Sequence, residues 1–584
     1  MLSLLISLLT FVALAVTAFG FGRPLWRWIG SDDDALSAVL FSVGLGLTAV
    51  GLIVLGFAAF GVLTSAVLGV TTMLGCCWGL VEIAFWCIPN GEPADRSADE
   101  SKRFSWASRP VDHWSPPSTW LLAVVLSAAI VAIAASLIDA LTPPTAEDAG
   151  FVSLETAKRL LVERRLVGPP RLVDVWHGWA LAFDGDGVCA RLIHWGFGLL
   201  FTLASVVMAA PLVGRRWAWI VGGVVALTPA VNRQMGCATD CLAMAAMGAL
   251  AMTAWWQAVL HGGDARWFVA AGLMTGAAMA VDAAVLALVG GLAVTWAWAF
   301  VGWSEQRRSL LLGAAVFGLA ALGVALPAGV WRWWGEGLGT TTCGIRWFGL
   351  LECSAWVWCE HLGWIGLAAL PCAFWVRRLR GLGVVLSVAV IYAVSVMTLT
   401  DDVRRLLLVV PLCGTAAVWT IVEMRRLPRR TQWIAAAAVG VMMACQWTDS
   451  VVRSFDGPAV ALGLEDREAF LLRREPVYQA AAVANRVLRP TARLLSQDVR
   501  TFYFNCRVTC EKSLARPLAV DESASETARR LCDSGFTHVL LVDDQSNGAR
   551  SPLGRVAQNA LTLTDYRVRM ADGASRHYRL VALR

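Results

Sequence analysis

The sequence predicts an α-helical polytopic membrane protein of about fourteen transmembrane helices followed by a small C-terminal α/β soluble domain. Three observations carry that expectation. Of 584 residues, 57% are hydrophobic and 16% charged, with mean hydropathy +0.60, more apolar surface than a water-soluble fold buries. Uncharged runs of roughly 20 residues, the helix length that crosses a bilayer, recur from Met1 to about Trp447 and show no amphipathic period. Beyond Trp447 there is no tryptophan, while four of the five tyrosines (Tyr478, Tyr503, Tyr566, Tyr578) and a dense scatter of Arg and Asp follow. A different solvent begins there.

Residues 1–118 read as N-terminal transmembrane helices and a cytoplasmic loop. The first 22 residues have no positive n-region and further spans follow, so the opening helix reads as retained rather than as a cleaved signal peptide. Residues 119–448 form the transmembrane core. The basic turns at Arg23 and Arg27, Arg96 to Arg109, Arg215 and Arg216, Arg307 and Arg308, Arg377 to Arg380, and Arg425 to Arg430 share one parity if residues 267–303 are two short helices. Retention of Arg and Lys during insertion assigns that side to the cytoplasm. Loops 143–191 and 331–360 and the tail 449–584 then lie outside.

The tail alternates helix and strand patterns: helix 475–488, strand Leu494 to Val499, helix 522–534, strand Thr537 to Asp543, and a closing strand pair near 566–583. They predict an open sheet of few strands. The net charge of +6 is accounted for by the basic turns, so nucleic acid is excluded as a partner. Cys76, Cys77, Cys87, Cys372, Cys413 and Cys445 fall within spans as packing residues. Cys506 and Cys510 are spaced to close a short external loop. No CxxC pair occurs and His is rare, which argues against a zinc site.

Candidate chemistry gathers outside the spans. The span 119–141 ends in LTPPTAEDAG, so Glu147 and Asp148 emerge just past a rigid Pro143–Pro144 turn. The amphipathic helix SLETAKRLLVERR follows, with Lys158, Arg159, Arg164 and Arg165 on its polar face. A carboxylate there suits deprotonation of a hydroxyl or amine while arginines hold a phosphate; equally, Asp148 suits a helix N-cap. Asp240, beside Thr239, has the same two readings. Asp282 reads either as an exposed turn between two short helices or as an intramembrane acid. Arg332 and Arg346 sit in a tryptophan-rich segment whose aromatic faces fit sugar rings or interfacial lipid. His177 and Asp174, in the loop after the surface helix, are placed to assist proton transfer or to serve structure alone. Asp184 and Asp186 form DGD, a flexible loop or an oxygen-ligand pair. No DxD accompanies Glu147 and Asp148; the sequence requires no cofactor and leaves room for a divalent metal ion at that pair.

In order along the chain, LTPPTAED, LTPAVNRQMGCATDCLAM, GLMTGAAMAVDAAVLALVGGLAV and DDVRRLLLVVPL resemble the motifs of the GT-C superfamily of membrane glycosyltransferases. The branch is that of bacterial protein O-mannosyltransferases and aminoarabinose transferases. The resemblance runs from about residue 119 to 425 and implies a GT-C-like fold. It puts Asp148 at the family's catalytic Asp, Asp240 at the acid opening a core helix, and Arg404 or Arg405 at the Arg of a late Arg-Tyr-Leu-x-Pro helix. Two positions depart: Val152–Ser153 replaces the usual Tyr-His, and Asp282 stands where Lys is common, a charge reversal that repels phosphate.

The implied function is transfer of a sugar from a polyprenyl-phosphate donor to a lipid, glycan or protein acceptor outside the bacterial cytoplasmic membrane. Asp148 is then the general base, and Arg404 and Arg405 bind the donor phosphate. Two other classes stand beside it. One is a catalytically degenerate scaffold; the other is a transporter or lipid flippase, for which the repeated halves of such folds are missing.

Overall fold

The computed structural model describes residues 2–29, 34–87, 117–145, 151–166, 171–260, 264–302, 306–336, 379–399, 402–424, 428–511, 514, 518, 522–543, 552–569 and 575–583. Two compact units result. One is Leu2–Leu141 with Arg159–Pro458; the other joins Thr142–Lys158 to Ala459–Arg584.

The first unit is helical: α1 (Leu2–Ile29), α2 (Ala35–Ala59), α3 (Ser65–Cys87), α4 (Thr119–Ala140), α5 (Phe151–Glu163, shared with the second unit), α6 (Leu172–Leu181), α7 (Val188–Val213), α8 (Arg215–Leu227), α9 (Pro229–Met235), α10 (Cys241–Leu260), α11 (Ala265–Val281), α12 (Leu286–Gly302), α13 (Arg307–Glu336), α14 (Leu379–Leu399), α15 (Val410–Met424) and α16 (Arg429–Arg453). Among the described residues nine helices are long and apolar enough to cross a bilayer, as an integral membrane protein requires. Their lipid-compatible faces carry exposed Leu, Val, Phe and Trp, whereas the spans Cys241–Val259 and Val403–Val422 are buried over most of their length.

Residues 267–303 do form two short helices. α11 stops at Asp282, whose backbone is extended, and a 3-10 turn at Ala283–Val285 leads into α12. A second 3-10 stretch, Val403–Val409, opens the span that continues as α15. At the N-terminus α1 and α2 touch backbone to backbone. A Cβ at Gly46 would lie 1.6 Å from the Ala18 carbonyl oxygen, and one at Gly22 1.7 Å from that of Ser42. Only glycine allows such an approach.

The second unit contains α17 (Gly457–Ala461, begun in the first), α18 (Arg467–Arg474), α19 (Pro476–Val487), β1 (Arg493–Ser496), β2 (Arg507–Cys510), α20 (Ala524–Asp533), β3 (His538–Asp543), α21 (Pro552–Asn559), β4 (Leu561–Arg569) and β5 (Ser575–Ala582). The sheet order is β2-β1-β3-β5-β4. The first three strands are parallel, and β5 runs antiparallel to both β3 and β4. Alternate residues feed two cores. Leu494, Leu540 and Leu580 join Val477, Ala481 and Ala484 of α19 on one face. Leu495, Val539 and Val581 join Leu531 of α20 and Leu553 of α21 on the other.

β1 is shorter than expected. Ser496 closes it in a tight turn, its hydroxyl donating to the Asp498 carbonyl and accepting from the Asp498 amide. The expected Cys506 loop closure is also corrected: Cys506 is a thiol, pushed upward by burial despite the nearby Lys158 cation.

Candidate functional site

Charged side chains converge where α6, α10, α11 and the 403–409 turn meet. Arg171 precedes α6, and Asp174, three residues on, accepts its backbone amide at 3.3 Å, the return half of a capping box. The Arg171 guanidinium also meets the Asp174 carboxylate at 3.2 Å and reaches Asp240 at 2.5 Å. Burial alone would lower the Arg171 pKa, yet the Asp174 and Asp240 carboxylates hold it above its ordinary value. Asp240 occupies the cap position that its sequence setting suggested. Its carbonyl accepts from the Met244 amide in the cap position of α10, while its carboxylate serves Arg171 and the Cys241 thiol.

Asp282 corrects the exposed-turn expectation, for it is buried. One carboxylate oxygen caps the following turn by accepting from the Ala284 amide at 2.8 Å, and the other lies 2.8 Å from Arg405 Nε. The Asp282 carboxylate thus has a counter-charge beside it. Arg404 grips Asp402 with two bonds of 2.8 Å. Burial would raise the Asp402 pKa, but Arg404 outweighs it and holds the carboxyl below its usual range. The Tyr392 hydroxyl donates to the Arg405 carbonyl at 3.0 Å, fixing that turn to α14.

His177 lies within α6, not in a loop, and is fully buried. Burial, reinforced by the Arg171 cation, pushes its pKa down to about 3, so it is neutral across physiological pH. Its ring faces His194 at 6.1 Å between centroids, and His194 Nε2 meets the Thr239 hydroxyl at 3.2 Å. A polar thread therefore runs from the two buried imidazoles to the residue beside Asp240.

Three arginines and four aspartates thus share one region: Arg171, Arg404 and Arg405 with Asp174, Asp240, Asp282 and Asp402. Each arginine already has a carboxylate partner. A phosphate would bind there by competing with those carboxylates. Arg171 was not singled out from sequence; the Arg-x-x-Asp spacing at a helix start is the signal that could have found it. His194 and Tyr392 lie inside apolar helices and left no such signal.

The other expectations fall elsewhere. Glu147, Asp148 and Arg346 are outside the described residues. Arg332 lies in α13, its side chain outside the described set. Asp184 of the DGD is not a loose loop residue: it accepts from the Cys189 amide at 2.8 Å and the Ser7 hydroxyl at 2.9 Å, anchoring the start of α7. Among the described residues no group of three or more His, Cys, Asp or Glu is arranged to hold a metal ion.

No family model and no curated protein matches the sequence. Solved structures do match. ArnT from Cupriavidus metallidurans in the apo state is 16% identical, over 80% of this chain and 98% of that chain, with a TM-score of 0.52. The chain has the GT-C fold. The same ArnT bound to undecaprenyl phosphate gives 15% identity, the same coverage and a TM-score of 0.51. An Archaeoglobus fulgidus oligosaccharyltransferase in complex with Zn and sulfate gives 12% identity over 71% of this chain and 67% of that one, with a TM-score of 0.50. At these identities the likeness is one of fold. Within that GT-C fold, the converging helix ends described above form the candidate site.

Proposed function

We propose that this protein transfers a sugar from a polyprenyl-phosphate donor to a lipid, glycan or protein acceptor on the outer face of a bacterial cytoplasmic membrane. The observation that carries the reading is the set of three partly accessible arginines at the helix ends of a GT-C fold. Guanidinium groups suit a lipid phosphate through paired, charge-assisted hydrogen bonds, and a structural neighbour was solved with undecaprenyl phosphate. Arg404 and Arg405 hold the donor phosphate, and Arg171 joins them. Asp148 is the general base. It takes the acceptor proton as the acceptor oxygen or nitrogen bonds to the anomeric carbon and the bond to the lipid phosphate breaks. The phosphate leaves with that electron pair, its charge met by the arginines. Asp240, Asp282, His177, Arg332 and Arg346 are the proposed substrate-cavity residues, and a divalent ion beside Glu147 and Asp148 is compatible with the leaving-group charge.

The test is sugar transfer by membranes supplied with labelled polyprenyl-phosphate sugars. Asp148→Asn keeps size and capping ability but accepts no proton at neutral pH, so transfer falls about 10²–10⁴-fold at near wild-type expression and melting. Glu147→Gln is the neighbouring control. Full activity in both variants removes the base assignment. The Asp282–Arg405 pair favours a second reading, a catalytically degenerate scaffold: a carboxylate stands at the position of a common family Lys and occupies one of the arginines. Absence of transfer with every donor tested, in a folded protein, would support that scaffold.

A further inference from the structure

The link between α9 and α10, residues 236–240, carries Asp240 outside either helix. One face of α7 holds it. Arg191 and His194, three residues apart, lie on the same side of that helix, and Gly198 continues the row. A Cβ at Gly198 would lie 2.2 Å from Met235 Cγ, so the glycine lets the end of α9 rest against α7. Arg191 Nε donates to the Gly236 carbonyl at 2.6 Å. His194 Nε2 meets the Thr239 hydroxyl at 3.2 Å, and that hydroxyl donates to Gln234 Oε1 at 3.2 Å. The two α7 contacts thus fall near the two ends of the link. One residue past the second, the Asp240 carboxylate meets Arg171 at 2.5 Å.

These bonds also fix a tautomer. A hydroxyl has one proton to give, and Thr239 gives it to Gln234, so His194 Nε2 carries the N–H that reaches Thr239. Nδ1 is then a bare acceptor, and among the described residues it has no partner. Arg191 and His194 are 4% and 0% exposed within an apolar span, a costly place for ionisable side chains and one where they mark function.

We propose that Arg191 and His194 are positioning residues: a two-point clamp that sets the 236–240 link so that Asp240 holds Arg171, and thereby sets how readily Arg171 turns to a lipid phosphate. The inference rests on the reading of the arginines as donor-phosphate ligands given above. Pinning both ends of a short non-helical link removes most of its conformational freedom. A partly exposed ion pair gains little when its partners must be ordered at the same moment. A link fixed in advance therefore makes Asp240 the stronger competitor for Arg171.

Undecaprenyl phosphate is titrated into the full-length protein, and amide hydrogen exchange is followed across 236–240, in wild type, Thr239→Val, His194→Phe and His194→Gln. Thr239→Val keeps the side-chain shape and removes only the hydroxyl, so it tests the clamp without threatening the fold. His194→Gln retains a side-chain N–H near the Nε2 position. In Thr239→Val and His194→Phe, exchange across 236–240 should accelerate about 5-fold, as loss of one hydrogen bond implies, with amides of α2 unchanged. Both should bind the lipid phosphate about 2–5-fold more tightly, and His194→Gln should return both readouts towards wild type. With Asp240→Asn already in place, the same substitutions should leave affinity unchanged, whereas a general loosening of the fold would act in both backgrounds. Unchanged exchange across 236–240 would overturn the clamp; an affinity shift that is absent, or equal in both backgrounds, would overturn its action through Asp240. If the wild type fails to bind undecaprenyl phosphate, the donor reading fails, while the exchange measurement still decides whether the clamp exists.

Discussion

Two regions of the molecule are built from the same pieces, arginines paired with aspartates or glutamates, and differ in how far water reaches them. In the tail, Arg500 joins Asp498 and Glu475 with side-chain exposures of 10%, 5% and 0%, and the Tyr578 hydroxyl reaches Asp498 at 3.4 Å. At the helix ends of the membrane unit, Arg404 is 40% exposed with Asp402 at 28%, and Arg171 is 25% exposed with Asp240 at 20%. A sealed network is a lock, because losing one partner strands an unsolvated charge. A half-open one exchanges partners at small cost, which is what a ligand-binding cluster needs.

The largest effect should follow from breaking the sealed network. Arg500→Leu removes the nearest cation of two buried carboxylates, leaving Asp498 with Arg576 at 3.8 Å, and should destabilise the tail by about 3 kcal/mol, read as a lowered melting transition and rapid proteolysis after residue 459. A loss below about 1 kcal/mol would mean the network is not a lock. Next comes the double variant Arg404→Gln with Arg405→Gln. Removal of charge-assisted phosphate contacts should raise donor KM about 10–100-fold, with a smaller drop in melting temperature than Arg500→Leu. Unchanged donor KM would reduce these arginines to partners of Asp402 and Asp282. The smallest effect is Asp240→Asn. It weakens the competitor for Arg171, so donor affinity should rise about 2–5-fold, within the range of one partly exposed ion pair. A loss of affinity instead would assign Asp240 a direct contact with the donor.

Local features were legible in the sequence, and long-range pairings were not. The helix break at Asp282 followed from the parity of the basic turns. α19, α20 and β3 followed from hydrophobic period; the Ser523–Glu526 capping box that starts α20 was not read. β2 and α21 were not read: a four-residue edge strand and an eight-residue helix carry too few periods to register. At the site, Asp402 beside Arg404 was visible as a neighbour, whereas Arg171 with Asp240 and Asp282 with Arg405 depend on contacts across 69 and 123 residues of chain. Lys158 shows the same limit. On an amphipathic helix it reads as one more solvated cation, and only the fold reveals two carbonyls 344 and 346 residues away.

The contact between α1 and α2 has a practical consequence for any mutational scan of this protein. Where Gly22 and Gly46 meet opposing carbonyls, a single added methyl would pry two helices apart along their length, so even alanine is a severe replacement there. A screen scored on activity alone would rank these two glycines beside the residues of the proposed site, although they lie in neither charged cluster. Counting how much variant protein reaches the membrane, alongside what it does there, would separate the two kinds of indispensable residue.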